Sequence, residues 1–339
     1  MWLLFSLSTA LLLATLSAFS FVGVLYVWRP SAALRADRDH PAVIKQRVAA
    51  TGLLCLVAPL FLWLLRWTPP PAAQAELGPG PPLREWLGFP SHSYGAGLTA
   101  PLLLTASLFM GPVLMQVLEA VHYGQMTGQG LAGAVESAWS SFSSHWAPFH
   151  RWQSLRNLVA APITEELVFR GVVLALLVAG GWGFRACVLL SPALFGLAHG
   201  HHLLMLVRAR GVSLQRAAAM VAFQLAYTSL FGAYAAALLL RTGHMTGVIL
   251  AHAWCNLLGV PQLGFLSPGH VLFPKRRAIL AVFVAGIVVF SLALVPLTDD
   301  QWLYNSSGQA DADYTPKHNG SWLLHYQRMH QQGDMSQYS

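Results

Sequence analysis

Ala161-Pro162-Ile163-Thr164-Glu165-Glu166-Leu167-Val168-Phe169-Arg170 lies inside an apolar run covering roughly 155–179. Two carboxylates and a guanidinium are costly in such surroundings, so each needs a reason to be there. Glu166 and Arg170 stand four apart with the acid first, the order that favours an ion pair along one helix face. Glu165 points about 100° away from Glu166 on an α-helix. One carboxylate is therefore left over once the pair is made. Thr164 resembles an N-cap, yet the apolar run has already begun near Leu155, so Pro162 marks a kink or a restart. A salt-bridged packing cluster is the plain alternative for all three charges.

The rest of the chain shows why these charges matter. Of 339 residues, 55% are hydrophobic and 10% are charged, against about 25% charged in a soluble domain. The bilayer is the natural solvent for this composition. Eight apolar runs approach or reach the length needed to cross it: roughly 3–28, 48–66, 98–119, 155–179, 184–199, 217–240, 244–260 and 278–297. The expected fold is an all-α polytopic membrane protein, a bundle of about eight transmembrane helices with an intramembrane cavity open to the cytosol. The first run lacks a basic lead and is read as a retained span. Residues 67–97 are rich in Pro and Gly and read as a loop. The division is 1–297 for the membrane domain and 298–339 for a polar tail expected to be largely disordered.

The net charge of +7 carries no basic face with interleaved aromatics, so nucleic acid is excluded as a partner. Cys55, Cys187 and Cys255 each sit in an apolar run, without the spacing of a disulfide framework or a zinc finger. Basic residues follow the connections between runs. Odd-numbered connections hold thirteen, from Arg29, Arg35, Arg38, Lys45 and Arg47 to Lys275, Arg276 and Arg277; even-numbered ones hold three, Arg84, Arg185 and Arg241. By the positive-inside rule the odd connections face the cytosol and both termini face the lumen. The acceptor tripeptides at Asn305 and Asn319 fall on that lumenal side.

Two further polar groups stand in apolar runs. Phe195 and His199 share a helix face, with His201 and His202 just beyond. His252 and Asn256 also share a face, and could simply bond to each other as helix glue. Glu165 lies about ten residues, or ~15 Å, into the fourth run. Together with the topology, this puts all three groups in the cytosolic half of the bilayer. A carboxylate in an apolar pocket makes a useful base for activating water. His199 can orient that water, and His252 and Asn256 can donate to an oxyanion. A His2Glu zinc site from His199, His252 and Glu165 is a second reading, although HExxH is missing. A proton-coupled transporter using the same residues as a relay is a third. Cys255 has no setting that marks a nucleophile.

At these residues the chain resembles the type II CAAX prenyl endopeptidases of the CAAX-protease and bacteriocin-processing family. Their EExxxR, FxxxH and HxxxN motifs read here as Glu165-Glu166…Arg170, Phe195…His199 and His252…Asn256. Arg38-Asp39-His40-Pro41, the Ala161-Pro162 lead-in and Arg241-Thr242-Gly243-His244 look like the eukaryotic members. The resemblance implies a glutamate-type endopeptidase of the endoplasmic reticulum membrane. Such an enzyme removes the last three residues from farnesylated or geranylgeranylated CAAX proteins such as Ras-like small GTPases. It further implies Glu165 and His199 as catalytic residues, His252 and Asn256 as transition-state donors, and Glu166, Arg170 and Phe195 as support, with no cofactor and no metal.

Overall fold

The computed structural model describes residues 1–27, 39–71, 80–91, 93–144, 151–199, 201–299 and 321–331; at His199, His201 and His202 it describes the backbone alone. The elements in chain order are α1 (Leu7–Val27), α2 (Pro41–Leu64), α3 (Leu83–Trp86), α4 (Tyr94–Leu108), α5 (Met110–Met126) and α6 (Gly130–Ser144). Next comes α7, a helical run over residues 151–179, then α8 (Phe184–His199), α9 (His201–Arg210) and α10 (Leu214–Thr242). The series closes with α11 (Met245–Leu258), α12 (Arg276–Leu297) and α13 (Trp322–Gln331). All eight apolar runs fall on helices. Four described helices are long and apolar enough to cross a membrane: Leu7–Tyr26, Pro41–Leu64, Leu214–Thr242 and Phe273–Leu297. The pair α4 and α5 adds a fifth if counted as one span, bent by 61°. The bend sits at Phe109, three residues before Pro112. Proline there has no N–H for the Leu108 carbonyl and crowds it sterically.

The chain forms two compact units. The first contains Met1–Leu98, Ile163–Ile249 and Thr298–Ser339. Its centre is the C-terminal half of α7, where every residue from Val168 to Ala179 is buried. This stretch is apolar on all sides apart from Arg170, the pattern of a helix surrounded by others. Helices α1, α2, α8 and α13 pack around it. Lipid tails are as apolar as leucine, so packing in a bilayer relies on close backbone approach rather than on hydrophobic burial. Small residues permit that approach. A Cβ on Gly180 would sit 2.2 Å from the Ala10 Cβ. Large apolar side chains such as Leu12, Leu16, Leu56 and Leu64 point outward, as they would in hydrocarbon rather than water.

The tail differs in part from the disorder its composition suggests. Residues 322–331 form α13, which packs into the first unit. Tyr326 is fully buried, its ring 5.0 Å from that of Trp86, and its hydroxyl donates to the Leu3 carbonyl. Gln327 Nε2 donates to the Trp182 carbonyl at 2.9 Å. Aromatic residues on one face provide the contact area that aliphatic counting overlooks. Asn305 and Asn319 lie outside the described residues.

The second unit contains Thr99–Pro162 and Leu250–Leu297. Helix α5 packs along α12 and forms a hairpin with α6. The Phe283 ring occupies the space a Cβ on Gly111 would need, at 2.2 Å. Met115, Phe265, Leu272 and Ile279 make a small core below it.

Candidate active site

The glutamates sit between two distortions of α7. Residues Arg156–Ala160 and Leu167–Val173 are wound as π-helix, and Ala161–Glu166 between them is α-helical. Such widened turns are uncommon and concentrate at functional sites. The first has a visible cause. Pro162 carries no N–H, and the Ala161 N–H donates to the Arg156 carbonyl, five residues back, instead of to Asn157. The Asn157 carbonyl thus lacks its α-helical donor, and its π-helical donor would be the proline. It accepts instead from Asn256 Nδ2 at 2.8 Å. Both residues belong to the second unit.

In the first unit, the expected pair of Glu166 and Arg170 is present. The two side chains are wholly buried and 3.1 Å apart, and Arg170 Nη1 donates to Glu166 Oε1 at 3.2 Å. Glu165, one position earlier, is half-buried. A buried charge without its partner costs several kcal/mol, and the wholly buried carboxylate is the one paired with Arg170. The Arg170 guanidinium lies 5.5 Å from the Phe195 ring centre on α8. Phe195 also meets Phe169 edge-on at 4.7 Å. Ser191 Oγ, one turn earlier on α8, donates to the Phe169 carbonyl at 3.3 Å. The contacts of Arg170 and Phe169 with Phe195 and Ser191 therefore join the helix of the glutamates to the helix that ends at His199.

One contributor had no role assigned to it from the sequence. Gly232 on α10 is buried, and a Cβ there would lie 2.7 Å from Pro192 Cβ and 3.0 Å from Arg170 Nη2. A glycine inside a long apolar helix is the signal that could have found it. Pro162 was legible as a kink, but not as the origin of an acceptor for Asn256.

The remaining residues are placed as follows. His199 is the last residue of α8, its side chain outside the described residues. On α11, His252 is buried and Asn256 exposed, one helical turn apart, both in the second unit. Cys255, between them, is half-buried.

Long apolar helices and outward-facing leucines define a multi-pass membrane protein, and a carboxylate doublet lies on its central helix. Comparison with known proteins gives that chemistry a class. A family model described as Type II CAAX prenyl endopeptidase Rce1-like matches residues 147–258. CAAX prenyl protease 2 of Homo sapiens is 38% identical over 289 residues, 85% of this chain and 80% of that protein. The Arabidopsis thaliana protein of that name is 30% identical, covering 89% and 94%, and that of Rattus norvegicus is 34% identical, covering 85% and 79%. No solved structure matches. The chain belongs to the type II CAAX prenyl endopeptidase family, and is a peptide-bond hydrolase.

Proposed function

We propose that this protein removes the last three residues from farnesylated or geranylgeranylated CAAX proteins, Ras-like small GTPases among them, using water activated by Glu165. It acts in the endoplasmic reticulum membrane with its site facing the cytosol. Glu165 takes a proton from water while His199 orients that water. The resulting hydroxide attacks the carbonyl of the prenylated cysteine itself. His252 and Asn256 donate to the oxyanion, and the departing tripeptide amine leaves with a proton returned from Glu165. A prenyl chain buried in lipid contributes about 0.8 kcal/mol per CH₂, which holds the scissile bond at membrane depth.

The observation that carries the reading is the unequal doublet. Glu166 is fully buried against Arg170, whereas Glu165 is half-buried, so Glu165 is the carboxylate that water can reach. The test is incubation of the purified protein with farnesylated and unprenylated CAAX peptides, with the released tripeptide read by mass. Release from the farnesylated peptide is expected, and Glu165→Gln should lower kcat by about 10² to 10⁴. A Glu165→Gln enzyme with undiminished kcat would remove the glutamate from the mechanism. Stoichiometric zinc whose chelation abolishes cleavage would favour metal chemistry instead.

A further inference from the structure

Pro162 and Asn256 are far apart in sequence, and the hydrogen bonding of α7 links them. In an α-helix the Asn157 carbonyl accepts from the N–H of residue 161. Here that N–H donates to Arg156. A widened turn would next offer the N–H of residue 162, and proline has none. The Asn157 carbonyl is thereby turned out of the helical ladder, where the Asn256 amide meets it at 2.8 Å. An amide NH₂ has two hydrogens. Fixing one on a backbone carbonyl orients the other and prevents the O/N exchange of a freely turning amide.

We propose that Pro162 is a positioning residue for Asn256: it frees the Asn157 carbonyl to act as a dock that aims the second amide hydrogen of Asn256 at the reacting carbonyl oxygen. The backbone provides the dock, so it persists whatever the side chain at 157. The inference rests on the reading of Asn256 as a transition-state donor.

Pro162→Ala tests it. The substitution restores a backbone N–H and a good helix former, so the variant should insert and fold. With the Asn157 carbonyl satisfied inside the helix, Asn256 loses its anchor. On a farnesylated CAAX peptide kcat should fall about tenfold to a hundredfold, with KM changed by less than about threefold, the signature of an interaction made in the transition state. In an Asn256→Ala background, Pro162→Ala should cause no further loss, because the group it positions is gone. Pro59→Ala, which removes the proline inside α2, should keep the wild-type kcat.

Three outcomes would overturn the proposal: a Pro162→Ala enzyme within about twofold of wild-type kcat, losses that add in the double variant, or an equal loss in Pro59→Ala. The underlying reading fails differently. In that case wild-type protein releases no tripeptide, or Asn256→Ala alone cleaves at full rate.

Discussion

Glu165 and Glu166 are neighbours in the chain with opposite assignments. In the proposed mechanism Glu166 is the supporting charge, wholly buried against Arg170. Removing one member leaves the other as an unpaired buried charge, at a cost of about 3–5 kcal/mol. Glu166→Ala and Arg170→Ala should therefore lower the melting temperature of detergent-solubilised protein and its accumulation in membranes. A stable Glu166→Ala protein with no turnover would reverse the roles of the two glutamates. Asn256 is a separate matter at this scale, because it is exposed and its loss leaves no buried charge. Asn256→Ala should reduce kcat by about 10² to 10³ with the melting temperature little changed, and tripeptide release set against a thermal scan checks both. Cys255→Ala should keep most of the activity, since the thiol has no part in the proposed chemistry.

At the scale of elements, α7 and α13 are the informative cases. Helix α7 combines a fully packed half, Val168–Ala179, with two widened turns on either side of the glutamates. Helix α13 docks by aromatic and amide contacts, and its His330 sits against Gly181, a left-handed position with φ of 80°. Burial pushes the His330 imidazole below its ordinary pKa. The unfolded chain then takes up the proton first as pH falls through about 6.5. Neutral in both states above that pH, His330 costs nothing there; below it, proton uptake by the unfolded chain weakens docking. Hydrogen exchange over residues 322–331 should accelerate as pH drops from about 7 to 5, and His330→Gln should flatten that dependence. A rate profile unchanged by the substitution would mean another group controls docking.

For the whole molecule, orientation decides whether the site can meet cytosolic substrates. Thirteen basic residues on the odd connections against three on the even ones predict that Ser213 faces the cytosol and Gly95 the lumen. Both positions are exposed, and a Cβ at Gly95 meets nothing within 4 Å. In sealed microsomes, Ser213→Cys should react with an impermeant maleimide at once, and Gly95→Cys only after permeabilisation. The reverse pattern would turn the site toward the lumen and sink the cytosolic assignment.

Helical periodicity and apolar length determined much of this protein from sequence alone. The helices over the apolar runs, the ion pair at Glu166 and Arg170, and the one-turn spacing of His252 and Asn256 are local, and a helix repeats its geometry wherever it lies; the described residues hold four or five candidate spans where the runs suggested about eight. The motifs at Glu165, His199 and Asn256 are legible as polar residues set in apolar runs and by their resemblance to a family's motifs. Tertiary structure decided what depends on a second element. It seated Arg170 against Phe195 and Gly232, folded ten residues of a polar tail onto Trp86 and Leu3, and gave the Asn157 carbonyl to Asn256. Hydrogen bonds and close packing act over a few ångströms, and only the folded chain brings residues distant in sequence within that range.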